Sequence, residues 1–223
     1  MKNGLLKNLM LGLIVAGAMS VSVARADVVV TIDPSPTWNG FMNVFELPSN
    51  GGGFVFASGW GTADLNATFS GSNLVFTPNT IGDPNPFWYT PSGGPGAVGN
   101  KIMEANMYVE PAGSLPGVTL TFVGNVVSNT LAASHAAKLF IRDFAPDFSS
   151  VSEILVPVPA SGAFSVSLAT VNDPARHVQY GVQMKGPCVW STDVAAFGSV
   201  VLGPASPVSA KATTWGRVKS LYR

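Results

Sequence analysis

Apolar and polar residues alternate along much of this chain, which is the period of half-buried β-strands. The alternation is clearest from residue 103 to residue 110. There the apolar row holds Met103, Ala105, Met107 and Val109, and the opposite row holds Glu104, Asn106, Tyr108 and Glu110. The same period recurs at residues 118–123, 137–143, 164–168 and 178–184. The pattern predicts a strand in each of these stretches.

Shorter β-branched and aromatic runs add further strands, and Gly, Pro, Asn and Ser residues separate them. These runs lie at residues 28–32, 41–46, 54–56, 63–70, 74–77, 189–194 and 199–202. The only helical signal before the C-terminal tail is a turn near Leu131 to Ala136. About ten short strands separated by such turn-forming residues predict one antiparallel β-sandwich over residues 27–204.

Residues 79–100 interrupt the strands with a loop rich in Pro and Gly. Proline lacks a backbone donor and fixes its own φ, so this stretch cannot be helix. Three adjacent aromatic residues, Phe87, Trp88 and Tyr89, lie in the loop. We expect them at the surface, where a flat ring can stack on the apolar face of a sugar. Packing within the loop itself is the alternative.

The composition indicates an exported β-domain and argues against nucleic-acid binding. Only 11% of the residues are charged, and the chain has 24 Gly and 17 Pro, as in many secreted all-β domains. Residues 27–205 carry five Lys or Arg against twelve Asp or Glu, a formal charge of −7. Such an acidic body lacks the clustered cations that neutralise phosphates.

Residues 1–26 have the pattern of a signal peptide. Lys2 and Lys7 precede an apolar run from Leu9 to Val23, and Ala24-Arg25-Ala26 is a small-x-small cleavage site. The apolar run is shorter than the about 20 residues of a membrane-spanning helix, and no later stretch is long and apolar enough to be one. We therefore expect a mature protein that is secreted or attached to the cell surface.

Residues 205–223 are predicted to form a separate tail, in which residues 206–223 carry four Lys or Arg and no acid. Thr214 could cap a short helix with an apolar stripe that includes Trp215 and Val218. We interpret the tail as a peptide that docks to a sorting or surface partner, or as a membrane-surface helix. A frayed terminus is the alternative.

The sequence contains no catalytic motif. GxSxG, HExxH, phosphate-binding-loop and dinucleotide-binding patterns are all absent. The single cysteine, Cys188, has no disulfide partner and is expected to be a buried apolar residue. Residue types used by glycosidases are present in Glu104, Glu110, Asp143 and Asp147, without a distinctive pattern around them. We therefore expect a protein that is not an enzyme.

The polar rows of neighbouring strands are the best candidates for a binding face. If these strands share one sheet, their amide and charged side chains can hydrogen-bond sugar hydroxyls beside the aromatic loop. The predicted ligand-binding residues are Trp88, Tyr89, Glu104, Asn106, Tyr108, Arg142, Gln179 and Gln183. An ordinary solvated outer face is the alternative.

Four short segments occur in an order that matches a known family. The early segments are Asn43-Val44-Phe45-Glu46 and Ser58-Gly59-Trp60-Gly61, and the late ones are Gly181-Val182-Gln183-Met184 and Trp190-Ser191-Thr192-Asp193-Val194. They resemble the opening and closing strands of the galactose-binding-like jelly-roll carbohydrate-binding modules of secreted bacterial proteins. The resemblance covers most of residues 38–203 and implies a jelly-roll β-sandwich. The Pro-rich loop lies outside the family pattern, so no particular ligand is implied.

The same resemblance implies one structural calcium ion, which in that family ties the first and last strands together. The matching carboxylates here are Glu46 and Asp193. Calcium takes about six to eight oxygen ligands and tolerates irregular geometry. Two ordinary solvated carboxylates are the alternative.

These observations together predict an exported, non-catalytic carbohydrate-binding module for a polysaccharide or cell-surface glycan. The alternative is a structural or adhesive extracellular protein, in which the aromatic loop packs against another copy or a cell-surface partner.

Overall fold

The computed structural model describes residues 27–206, and strands dominate this range. The strands are β1 Asp27–Thr31, β2 Asn39–Glu46, β3 Phe54–Trp60, β4 Ala67–Ser70, β5 Asn73–Phe76, β6 Tyr89–Thr90, β7 Val98–Gly99, β8 Lys101–Val109, β9 Thr119–Asn129, β10 Ala136–Phe144, β11 Val151–Pro157, β12 Gly162–Ala169, β13 His177–Pro187 and β14 Val200–Gly203. Helical structure in this range is limited to two 3₁₀ turns, Pro48–Asn50 and Val194–Phe197.

The strands form two six-stranded sheets and one two-stranded ribbon. The β8 sheet has the order β11-β10-β13-β8-β2-β3. The β9 sheet has the order β1-β9-β14-β5-β4, and β12 also pairs with β9. Strand β1 runs parallel to β9, and the pairs within the β8 sheet are antiparallel. Two sheets around one core are consistent with the predicted β-sandwich.

The core forms where the apolar rows of the two sheets meet. The row of β8 that was predicted to be apolar is buried, as is the corresponding row of β13 with Tyr180 and Val182. Phe122 of β9 crosses between the sheets, because its ring lies 5.2 Å from that of Tyr180. Each large side chain removed from water in this way stabilises the fold by about 1.5–3 kcal/mol.

The alternating segments form strands as predicted, whereas several other segments differ from the prediction. Residues 151–157 form β11, which the alternation does not reveal because every residue of this edge strand is exposed or half-buried. Residues 189–194 were predicted to be a strand, but Val189 forms only an isolated bridge with Thr80. After it the chain turns, since the amide of Asp193 donates to the carbonyl of Trp190. The run Trp190-Ser191-Thr192-Asp193 is rich in turn-forming residues, which explains the difference. The helical turn expected near residues 131–136 is an irregular turn that leads into β10.

The long Pro- and Gly-rich connection, residues 79–100, lies between β5 and β8 and is not helical, as predicted. It is anchored to the body rather than projecting from it. At Gly99 a Cβ atom would lie 2.0 Å from the carbonyl oxygen of Cys188. Only a residue without a Cβ allows the β6–β7 ribbon to approach Cys188, the residue that follows β13, this closely.

The predicted signal peptide, residues 1–26, lies outside the described residues, and so does the tail from residue 207 onward. Of the tail, residues 205 and 206 are described. The amide of Ala205 donates to the Thr31 hydroxyl at the end of β1, at 2.8 Å.

Candidate functional site

The outer face of the β8 sheet is hollowed into a groove of about 400 Å³. Five adjacent strands and the β10–β11 hairpin contribute to it. The residues that line this outer groove are Phe41, Asn43, Asn106, Tyr108, Arg142, Phe144, Phe148, Val151, Glu153 and Gln179. The groove therefore combines aromatic rings with amide and charged groups.

Strand register places the polar groups of the outer groove side by side. Across three strands, Glu153 faces Arg142, and Arg142 faces Gln179. On β8, Asn106 lies between Phe41 of β2 and Gln183 of β13. These neighbours are fixed by antiparallel pairing, so their spacing is set by the backbone.

Asn106 organises the floor of the outer groove. Its side-chain carbonyl accepts hydrogen bonds from Arg142 Nη1 at 2.9 Å and Gln183 Nε2 at 3.1 Å. Its amide nitrogen donates to the carbonyl of Glu104 at 3.0 Å. The residue is only 2% exposed. Because a buried polar group is costly unless it is bonded, these partners hold the floor in one arrangement.

Arg142 is held from three sides. Its Nε donates to Glu153 Oε2 at 3.1 Å, its Nη1 donates to Asn106, and its guanidinium carbon lies 4.1 Å from the ring centroid of Phe140. The planar guanidinium group suits such fixed, multiply bonded positions. The charged side chain therefore stays in one orientation at the groove wall.

Glu110 positions a second group of residues at one end of the outer groove. Its carboxylate accepts from His177 Nδ1 at 2.7 Å and from Gln179 Nε2 at 2.6 Å. Burial, followed by the negative charge of Glu110, raises the pKa of Tyr108 above its usual value. The Tyr108 phenol therefore stays protonated at neutral pH and can both donate and accept hydrogen bonds.

Phe148 closes this end of the outer groove. It lies in the β10–β11 hairpin with φ 58°, a left-handed conformation that is uncommon for residues other than glycine. This backbone turns its ring onto His177, with stacked centroids 4.3 Å apart, and towards Phe144 at 5.6 Å. The ring remains 56% exposed, so it presents an open aromatic surface.

The structure brings together most of the predicted ligand-binding residues. Asn106, Tyr108, Arg142 and Gln179 line the outer groove, and Gln183 bonds to Asn106 from outside its lining. Glu104 lies on the same outer face, where it accepts from Asn43 at 3.0 Å and pairs with Lys185 at 2.9 Å. These placements are geometric, and ligand binding by these residues stays a prediction.

Trp88 and Tyr89 do not belong to the outer groove, which corrects the expected aromatic platform. Tyr89 is fully buried, and its hydroxyl donates to the Ile81 carbonyl at 2.7 Å. Burial raises the pKa of this phenol to about 12. Trp88 is half-buried, with its ring 6.2 Å from that of Phe56. The loop composition suggested exposure, but the loop folds back so that Tyr89 and Trp88 pack inward, whereas Phe87 stays 40% exposed.

The two carboxylates predicted to share calcium have separate partners. Glu46 pairs with Lys101 Nζ at 3.1 Å, and the side chain of this lysine is 5% exposed. Asp193 accepts from the amide of Gly96 at 2.6 Å. Within residues 27–206 no group of three or more His, Cys, Asp or Glu side chains could hold a metal ion. These residues do not fit a shared calcium site, because a lysine ammonium already occupies the position beside Glu46.

The carboxylates considered for glycoside hydrolysis are also engaged elsewhere. Asp143 is fully buried and pairs with Arg176 Nε at 2.5 Å, while its other oxygen accepts from the amide of Val171. Asp147 caps the hairpin turn by accepting from the amide of Ser149. Cys188 is buried as expected, and burial raises the pKa of its thiol.

Two other hollows are less suited to a polar ligand. An open, shallow cleft of about 510 Å³ lies beside Trp60, Asp64 and Asn66. A second hollow of about 460 Å³ lies beside Val98, Cys188 and Phe197, and its walls are mainly apolar. Neither of them combines several aromatic rings with a bonded polar floor, as the outer groove does.

Six groove residues were missed by the sequence-based prediction, and for different reasons: Phe41, Asn43, Phe144, Phe148, Val151 and Glu153. Phe41 and Asn43 lie on a strand that was predicted, so their alternate position on β2 could have suggested the outer face. Glu153 lies on the strand that was overlooked. Phe148 has no sequence signal, because its position depends on the conformation of a hairpin loop.

Comparisons with known proteins assign no family. No family model, curated protein sequence or solved structure matches this chain. Among residues 27–206, no helix is long and apolar enough to cross a membrane.

Proposed function

We propose that this chain is a non-catalytic carbohydrate-binding protein that holds part of a glycan in the outer groove. The observation that carries the proposal is the lining of that groove, in which exposed Phe41 and Phe148 lie beside Asn, Gln, Arg and Glu side chains. Sugar rings have apolar C–H faces that stack on aromatic rings, and hydroxyls that need donors and acceptors together. An open groove also suits a chain that continues beyond the site.

The bonded floor supports binding because it reduces the cost of ordering side chains. Asn106, Arg142 and Gln179 are each held by partners in the structure without a ligand. Immobilising a long, free side chain costs about 0.5–1.5 kcal/mol on binding. A floor that is already ordered avoids most of this cost, which matters for weakly held ligands such as sugars.

The jelly-roll relationship and export are part of the same proposal. The all-β architecture is compatible with a jelly-roll, and Gly181-Val182-Gln183-Met184 lies within β13, as the family resemblance implies for a closing strand. The other implied closing strand, Trp190 to Val194, forms a turn instead. Export is supported by the signal-peptide pattern of residues 1–26. The glycan would then be extracellular or on a cell surface.

Glycan-array screening followed by titration calorimetry tests the proposal. Phe41→Ala removes a ring from the groove, and we expect affinity for the bound glycan to fall by about tenfold, equivalent to about 1.4 kcal/mol. The matched control is Phe54→Ala, which removes an exposed ring from β3 outside the groove. Parent-like affinity in Phe41→Ala for every glycan that binds would overturn the assignment.

A structural or adhesive protein is the second candidate, and the edge of the β8 sheet favours it. Strand β3 is an edge strand of seven residues, FVFASGW, without charge or proline, and its Phe54 is 64% exposed. Such edges can pair with another strand. Concentration-dependent assembly in size-exclusion chromatography without glycan, abolished by Ala57→Lys, would favour this function over glycan binding.

A further inference from the structure

We propose that the outer groove selects uncharged saccharides and rejects glycans that carry carboxylate or sulfate groups. The inference rests on the proposed function and concerns the chemical class of the ligand. It follows from the ion pair between Arg142 and Glu153, the two charged residues that line the groove.

Arg142 is the cation that an acidic sugar would need, and its charge is already neutralised. Its Nε donates to Glu153 Oε2, and Nη1 donates to Asn106 Oδ1. The side chains of Arg142 and Glu153 are 13% and 39% exposed, so water and salt screen this pair only in part. A ligand carboxylate would have to compete with Glu153 for the guanidinium while lying close to that like charge.

The surrounding groups add no free positive charge within the groove. Glu110, at one end, is also negative and bonds to His177 and Gln179. Lys185 on the same face pairs with Glu104. Lys138 lies further along β10, in register with Gln183, and does not line the groove. An anionic ligand in the groove therefore meets the carboxylate of Glu153, with that of Glu110 beyond the end of the groove, which is a repulsive basis for specificity.

The same ion pair suits hydroxyl groups. The guanidinium has N–H donors beyond Nε and Nη1, and the Glu153 carboxylate has a second oxygen, Oε1, as an acceptor. A donor and an acceptor thus lie next to each other at the groove wall. Neighbouring hydroxyls of a sugar ring can donate to one and accept from the other without breaking the pair. Tyr108, which stays protonated, adds another such group.

The experiment compares neutral and acidic polysaccharides by affinity electrophoresis and calorimetry with the mature protein. The probes are neutral polysaccharides, polysaccharides that naturally carry uronate or sulfate, and a carboxylated derivative of whichever neutral one binds. We expect the carboxylated derivative to bind at least about tenfold more weakly than its neutral parent. The difference should shrink at high salt, because the repulsion is electrostatic.

Glu153→Gln locates the selectivity at the ion pair. It removes the competing charge and keeps the shape, so we expect the affinity for the carboxylated glycan, relative to that for its neutral parent, to rise about tenfold, whatever the neutral affinity itself does. The control, Asp27→Asn, removes an exposed charge from β1 in the other sheet and should leave the preference unchanged.

The outcomes separate the two proposals. Acidic glycans that bind as tightly as neutral ones, with binding lost in Phe41→Ala, would overturn the selectivity and leave carbohydrate binding intact. Binding of no probe, or binding unaffected by Phe41→Ala, would overturn both. A preference for neutral glycans that persists in Glu153→Gln would overturn the role of the ion pair.

Discussion

His135 is a buried histidine whose neutral form the fold favours. Burial lowers the pKa of His135 below its usual value of 6.5, although its hydrogen bond with the Pro187 carbonyl opposes this shift. A lowered folded-state pKa means that the unfolded chain binds the proton more readily. Stability is therefore intact above about pH 6.5 and falls as the pH decreases from there towards the lowered pKa.

Urea unfolding between pH 7.5 and pH 5 tests this behaviour. We expect the free energy of unfolding to decrease over the acidic part of this range, and His135→Gln to flatten the decrease. His177→Gln is the control, since His177 is the other histidine of the chain. An unfolding free energy of the parent protein that does not change between pH 7 and pH 5 would contradict the prediction.

At the scale of single residues, the sequence identified the polar floor better than the aromatic groups. Glu104, Asn106 and Tyr108 could be placed on one face because a strand alternates with period two. Tyr89 and Trp88 could not be placed, because Pro and Gly content shows that a segment is irregular and not whether it is buried. Phe148 was unpredictable for a related reason: a left-handed residue in a hairpin loop decides where its ring points.

At the scale of elements, the position of the β6–β7 ribbon depends on one close contact, between Gly99 and Cys188. A Cβ at Gly99 would lie 2.0 Å from the Cys188 carbonyl oxygen, which is a backbone atom that cannot rotate away. We therefore expect Gly99→Ala to destabilise the protein by about 1–3 kcal/mol through overpacking. For a domain of about 180 residues this is a decrease in melting temperature of roughly 3–10 °C.

Differential scanning calorimetry measures this effect, and Gly82→Ala provides the control. Gly82 lies in the same long connection, but a Cβ there would meet no atom within 4 Å. The control should melt close to the parent. Equal melting temperatures for Gly99→Ala and Gly82→Ala would show that the ribbon can move away without cost.

Strands were predicted more reliably from the sequence when one face of the strand is completely buried. Strands β8, β10 and β13 have an inward row against the core, so their alternation was clear in the sequence. Strand β11 has no buried residue, and its sequence carries no comparable contrast. Residues 189–194 contain apolar residues at both ends, but the turn-forming residues between them determine the local structure.

At the scale of the whole molecule, the sheet order follows from contacts that alternation does not encode. Strand β9 pairs with β1 near the start of the described chain, with β12 and with β14 near its end. A strand shows the same alternation of apolar and polar residues whichever strand it pairs with. The sequence therefore predicted the sandwich class but not which strands are neighbours. The outer groove depends on this order, because five adjacent strands of the β8 sheet must lie side by side to form it.

The remaining whole-molecule prediction concerns the calcium ion that Glu46 and Asp193 were expected to share. In the structure, Glu46 at the end of β2 pairs with Lys101 at the start of β8, whereas Asp193 bonds to the Gly96 amide. Calcium at Glu46 would displace Lys101 and leave a buried ammonium without its carboxylate, which is strongly unfavourable. We therefore expect the melting temperature to be the same in calcium and in excess chelator.

Glu46→Gln tests whether Glu46 contributes to stability through its pair with Lys101 and not through a calcium ion. It removes the partner of Lys101, so the melting temperature should fall equally with calcium and with chelator. A bound ion behaves differently, because it stabilises only the folded state, by about 2.7 kcal/mol at a hundredfold excess over its Kd. A calcium-dependent rise in the parent that Asp193→Asn abolishes would show that the ion replaces Lys101 at Glu46, and would support the family resemblance.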